Sequence, residues 1–185
     1  MIIIGENIHI IAKAVSRAIK VRDVKAIQDL AKAQADAGVH YIDLNLGPAT
    51  RDPIAMTEWL VKTVQAIVDL PLSIDTLSPL AMDVGLKMCQ RRPLLNSVSG
   101  RTDSLEHMLP LAKKRNAEVV VSVLTDKGCP RDLSSRSESI IDTVARANEM
   151  GIPNDDIWVD PILLPVSADQ EQAMEVLEFV KVLPD

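Results

Sequence analysis

At 185 residues, with 47% apolar and 25% charged side chains, the chain has the size and balance of one globular domain with a substantial core. Its net charge of −6 and sequence pI of about 5.1 argue against a nucleic-acid partner, which would call for a basic patch. No apolar run reaches the roughly 18 residues of a membrane span.

Aromatic residues make up only 2%, so Val, Ile, Leu, Ala and Met have to build the core. The opening Met1-Ile2-Ile3-Ile4-Gly5-Glu6-Asn7 lacks the basic start of a secretory signal. Cys89 and Cys129 show neither metal-ligand spacing nor a His partner, and His9, His40 and His107 are scattered. A reducing, cytoplasmic setting and no metal site of the protein's own are therefore expected.

In chain order, Ile2–Ile4 reads as a short strand and Ala12–Ile19 as a helix. Asp23 caps a second helix, with Val24, Ile27, Leu30, Ala31 and Ala35 at helical spacing and Gly38 as its stop. Tyr41–Leu46 is the second strand. Asp52-Pro53 opens a helix that turns Met56, Leu60, Val64 and Ile67 inward. Leu72–Asp75 is the third strand, and Ser78-Pro79 starts a helix running to about Cys89. Pro93–Asn96 is a short fourth strand and Ser97–Thr102 a loop. Asp103-x-x-Glu106 resembles a capping box, ahead of a helix that Pro110 kinks. Glu118–Leu124 is the fifth strand. The polar loop Thr125–Ser135 leads to a helix over Ser137–Met150, ended by Gly151. Ile157-Trp158-Val159 reads as a strand buried on both faces, halted by Asp160-Pro161. Ser167-x-x-Gln170 matches a capping box for a last helix, which runs to Leu183.

Strand and helix alternate six times, which implies an α/β fold with a parallel sheet. Four strands end in Asp or Asn: Asp43 and Asn45, Asp75, Asn96, and Asp160. A carboxylate where a buried strand stops is costly without a partner. No G-x-G-x-x-G follows any strand, and polar groups terminate several strands instead of gathering at one switch point. That favours a TIM (β/α)8 barrel, whose active-site groups come from many strand ends. A barrel needs eight strands and about 250 residues. Six units therefore point to a C-terminally truncated barrel domain over residues 1–185, with strands 7 and 8 absent.

The motifs Ile4-Gly5-Glu6-Asn7, Asp43-Leu44-Asn45-Leu46-Gly47-Pro48, Glu58-Trp59-Leu60-Val61, Ile74-Asp75, Asn96-Ser97 and Asp160-Pro161-x-x-Leu164-Pro165 together make the chain resemble the pterin-binding methyltransferases. The resemblance is nearest to methyltetrahydrofolate:corrinoid methyltransferases, which share a barrel with dihydropteroate synthases and with the folate domain of cobalamin-dependent methionine synthase. It implies that Asp75, Asn96 and Asp160 hold a pterin ring, with Glu6, Asn7, Asp43 and Asn45 as supporting groups. Asp43 and Asn45 also have a local reading, bonding nearby backbone or capping the next helix. A reduced pterin offers an amino group and a ring N–H side by side, and a carboxylate accepts two such donors. The implied reaction moves a methyl group between N5 of tetrahydrofolate and the cobalt of a corrinoid (cobalamin) carried by a separate protein. The family's N5-contacting Asn would lie on the absent strand 7, so no catalytic residue is assigned here. The resemblance implies a homodimer at full length. Two alternatives stand beside it: a dihydropteroate synthase, or a pterin-binding domain without turnover.

Overall fold

The computed structural model describes residues 1–47, 51–167 and 169–183, with six strands and eight α-helices among them. Two compact units divide the chain, Met1–Asn96 with Lys114–Glu118, and Ser97–Lys113 with Val119–Asp185.

In the first unit lie β1 (Ile4–His9), α1 (Lys13–Val21), α2 (Val24–Asp36), β2 (Tyr41–Asn45), α3 (Pro53–Gln65), β3 (Leu72–Asp75) and α4 (Pro79–Met88). The start of β4 (Leu94–Ser99) belongs to it as well. β1 pairs with β2, β2 with β3 and β3 with β4, each in parallel. Such an order with a helix between neighbours is the βα grammar of parallel sheets. Ile8, Ile27, Ile42, Leu60, Leu72 and Met82 form its dry interior.

The helix starts follow the chemistry of their caps. Asp23 Oδ1 accepts from Ala26 N at 3.1 Å, and Asp52 Oδ1 from Ala55 N at 3.0 Å. Ser78 Oγ accepts from Ala81 N at 3.4 Å. Pro53 and Pro79 open their helices at positions whose N–H would have no intrahelical partner. Gly38, at φ +83, ends the chain's exit from α2. α3 turns Leu60 and Val64 inward, but Ile67 lies beyond its end at Gln65 and is 44% exposed, against expectation.

In the second unit lie α5 (Thr102–His107), α6 (Leu109–Arg115, whose last two residues fall in the first unit), β5 (Glu118–Ser122), α7 (Leu133–Glu149), β6 (Ile157–Asp160) and α8 (Glu171–Val182). β5 and β6 pair in parallel, with Ser122 opposite Asp160. Phe179, Val121, Val98 and Leu109 are among its buried side chains.

Several boundaries differ from expectation, each for a physical reason. β1 begins at Ile4 and continues through Glu6 and Asn7 instead of closing there. β4 runs on to Ser99, drawn in by the fully buried Val98. Asp103 lies inside the first turn of α5, bonded to Ser104 N at 2.8 Å, and so makes no capping box. Pro110, which has no N–H to give, accompanies the break between α5 and α6. α7 starts at Leu133, four residues before the expected Ser137, because Asp132 Oδ1 caps it through Ser135 N at 2.9 Å. α8 starts at Glu171 with no side-chain cap at Gln170, so the Ser167 capping box is not formed. β6 is only half-buried, and Asp160 is exposed. Among the described residues of its unit, β6 has a strand neighbour on one side only, which explains the exposure.

Candidate functional site: an acid and amide cluster at the strand ends

Strand register decides which polar ends meet. Asn45 is the Cα partner of Asp75, and Asp75 is the partner of Asn96. The last polar residues of β2 and β3 and the mid-strand amide of β4 therefore stand in one row. One pleat period earlier, on the same face, Asp43 is the partner of Ser73. These groups all belong to the first unit.

Asp43 is 3% exposed, far too dry for a carboxylate without donors. Its Oδ1 accepts from Ser73 Oγ at 2.6 Å and from Asn96 Nδ2 at 3.2 Å. Asn45 is oriented from both ends. Its Oδ1 accepts from Gly47 N at 2.9 Å, which leaves Nδ2 to donate to Asp75 Oδ2. Gly47 reaches that geometry at φ +62, and a Cβ there would run into Ile10. Among the described residues, Asn45 is the one hydrogen-bond partner of the Asp75 side chain, so Asp75 Oδ1 is left available. The Asn96 carbonyl oxygen is likewise available once Nδ2 is committed to Asp43. The row thus presents acceptor oxygens held in place from behind, suited to a ligand edge rich in N–H donors.

The electrostatics follow from crowding acids in a dry place. Burial pushes the Asp75 carboxyl up to about 7; the nearby Asp43 charge adds to the rise, and the Asn45 bond opposes it. Burial likewise lifts Asp43 to about 6, against the bonds from Ser73 and Asn96. Glu6 raises both through its charge, and His9 lowers Asp43. A carboxyl that exchanges its proton near neutrality can accept from a ligand when ionised and donate when protonated.

The expected residues fall into two groups. Asp75, Asn96, Asp43 and Asn45 come together; Asp43 faces other side chains, while Asn45 both bonds nearby backbone at Gly47 N, as its local reading expects, and donates to Asp75. Glu6 and Asn7 lie exposed on β1; Glu6 acts through its charge, while Asn7 N donates to the buried Gln34 Oε1 at 3.2 Å. Asp160 ends β6 in the second unit, with Oδ1 accepting from Ile162 N at 2.8 Å. The desolvated carboxylates are therefore the buried Asp43 and the half-buried Asp75, not the exposed Asp160. Pro48, the last residue of its motif, lies outside the described residues. Sequence reasoning missed Ser73 and His9. Ser73 was legible as a hydroxyl inside an apolar strand, one pleat period before Asp75. His9 is the register partner of Asn45, a relation that only pairing reveals. Burial pushes the half-buried Cys89 thiol up to about 12.

No helix among the described residues is long and apolar enough to cross a membrane. Nor do the described residues contain a group of three or more His, Cys, Asp or Glu placed to hold a metal ion.

Parallel βα units with polar groups at strand ends define the class first: an α/β protein of the TIM-barrel type, six of whose strands are described here. Solved structures share this fold. The 7,8-dihydropteroate synthase of Vibrio fischeri ES114 matches at TM-score 0.70 and 18% identity, over 97% of this chain and 70% of that one. The dihydropteroate synthase of Xanthomonas albilineans, in complex with 7,8-dihydropteroate, matches at 0.69 and 15%, over 98% and 68%. Residues 12–184 match the family described as pterin binding enzyme, and the chain belongs to that family. Among its relatives, the methylcorrinoid:tetrahydrofolate methyltransferase of Eubacterium limosum is 29% identical over 100% of this chain and 70% of its own length. The methionine synthase of Mycobacterium tuberculosis is 22% identical over 99% of this chain, which spans only 16% of that protein.

Proposed function

We propose that the chain binds tetrahydrofolate through its pterin ring and takes part in methyl transfer between folate N5 and the cobalt of a corrinoid held by a separate protein. The observation that carries the reading is the row Asn45, Asp75 and Asn96, with its available acceptor oxygens backed by Asp43 and Ser73. The likeness to the Eubacterium limosum enzyme supports the choice of reaction.

In this reading Asp160, through Oδ2, accepts from the donor edge formed by the exocyclic amino group and adjacent ring N–H. Charge-assisted bonds of this kind are short and directional, so they fix ring orientation as well as affinity. The corrinoid supplies the cobalt that gains or gives up the methyl group. As the N5–methyl bond breaks, its electron pair stays on nitrogen, and a proton must arrive there because an amine anion leaves poorly. Holding the ring still at the strand ends supplies the alignment that an in-line transfer needs.

The test is to titrate the intact protein with methyltetrahydrofolate by calorimetry, then to add reduced corrinoid and follow cobalt absorbance alongside tetrahydrofolate formation. Saturable binding and coupled spectral change are expected. Failure to bind folate, together with condensation of a pterin diphosphate with aminobenzoate, would replace this reading with the dihydropteroate synthase one.

A further inference from the structure

The turn after β6 holds a backbone conformation that its own residue resists. Ile162 sits at φ 50, in the left-handed region, where a β-branched side chain is an outlier and persists only if its surroundings over-determine it. Two contacts do so. The Ile162 N–H donates to Asp160 Oδ1 at 2.8 Å. From α7, Arg136 Nη1 donates to the Pro161 carbonyl and reaches the Ile162 carbonyl at 3.4 Å.

Arg136 is an unusual choice for that task. It is 0% exposed, and it lies in the first turn of α7, the end of the helix dipole that disfavours a cation. Among the described residues its Nε and Nη2 have no hydrogen-bond partner, and no carboxylate pairs with it. A buried guanidinium so poorly compensated is a burden on folding. Its protein contacts run instead to the two carbonyls of the turn that follows Asp160.

We propose that Arg136 is a positioning residue for Asp160. By holding the Pro161 and Ile162 carbonyls it fixes the left-handed turn. The turn aims the Ile162 N–H at Asp160 Oδ1, and the carboxylate plane is thereby set, with Oδ2 turned toward ligand. This inference rests on the reading of Asp160 as a pterin-holding acid.

The experiment uses the intact protein with Arg136→Met, Arg136→Lys, Asp160→Asn and the Arg136→Met/Asp160→Asn pair. Two readouts are taken, the Kd for methyltetrahydrofolate and amide hydrogen exchange at Ile162 without ligand. Arg136→Met should speed Ile162 exchange and weaken folate binding about tenfold, the scale of one charge-assisted hydrogen bond. Its thermal midpoint should hold or rise, because an unpaired buried charge is gone. Arg136→Lys should recover part of the affinity, and serves as the variant to read if the Met substitution fails to fold. In the Asp160→Asn background, Arg136→Met should change Kd by less than about twofold, since its effect passes through that carboxylate. Unchanged Ile162 exchange in both Arg136 variants would overturn the clamp, whatever the protein binds. Unchanged affinity, or full additivity with Asp160→Asn, would overturn the link to the site. A parent protein that binds no folate would instead sink the pterin reading, while the exchange data still judge the clamp.

Discussion

Asp75 is the residue on which the site's chemistry and its energetic cost meet. Burial lifts its carboxyl to about 7, from an unfolded value near 3.9. Between those values the folded state keeps a proton that the unfolded chain releases. Its contribution to stability is therefore present below about pH 4 and lost as pH rises through about 7. Asp75→Asn removes that titration. The variant should be more stable than the parent at pH 8, by on the order of 1–3 kcal/mol, and the difference should shrink toward pH 4. Urea unfolding of both proteins across that range measures it; a constant difference would mean that the acid is not destabilised by burial. Asp160 is the opposite case, exposed and tied to one backbone N–H. Asp160→Asn should leave stability nearly unchanged but weaken folate binding by roughly 1.5–3 kcal/mol, because an amide donor then faces the ligand's own donors. Calorimetry showing the parent affinity would remove Asp160 from the site.

At the scale of elements, β1 and α2 depend on each other through a glycine. The β1–β2 register shifts between Gly5 and Ile8, which leaves backbone groups of the bulged segment outside the ladder. Gln34, buried in α2, supplies the acceptor for Asn7 N at 3.2 Å. It fits because residue 5 has no Cβ; one there would lie 2.3 Å from Gln34 Oε1 and 3.2 Å from Val39 Cγ1. Gly5→Ala should therefore displace the amide and cost about 1–3 kcal/mol, as overpacking does. A chemical-denaturation midpoint equal to the parent's would refute the dependence. The caps are simpler. Asp132→Ala should cost about 1 kcal/mol by freeing Ser135 N at the start of α7, and a thermal midpoint that does not fall would show another group taking over.

For the molecule as a whole, the pairings leave sheet edges to account for. Among the described residues, β1 pairs only with β2 and β6 only with β5. An unpaired edge offers a row of N–H and C=O groups to other chains. Exposed Ile2, Ile3, Met174 and Leu177 add apolar surface to each unit's account. Each 100 Å² of such surface left wet costs about 2.5 kcal/mol, against a total stability of roughly 5–15 kcal/mol for a typical domain. The 185-residue chain by itself is therefore expected to self-associate. Light scattering checks this; a monodisperse monomer would refute the expectation.

The alternation of apolar runs with capped, glycine-stopped helices was readable from local chemistry, because Asp23, Asp52 and Ser78 act on backbone three residues away. The family motifs also marked Asp43, Asn45, Asp75 and Asn96 in advance. What local signals could not carry was register. Which strand residues oppose one another depends on pairing between segments some 30 residues apart, and that pairing alone puts Asn45 beside Asp75 and Ser73 beside Asp43. Burial was misjudged for the same reason: the apolar run Ile157-Trp158-Val159 looks doubly covered, yet coverage is set by neighbours that a strand's own residues do not encode. Arg136 carried no signal at all, since a lone arginine in a polar helix reads as solvated until packing closes over it. Sequence by itself determined the elements and the acids that end them; tertiary structure decided which of those acids are dry, and what holds each in place, because desolvation and register are properties of contacts between distant segments.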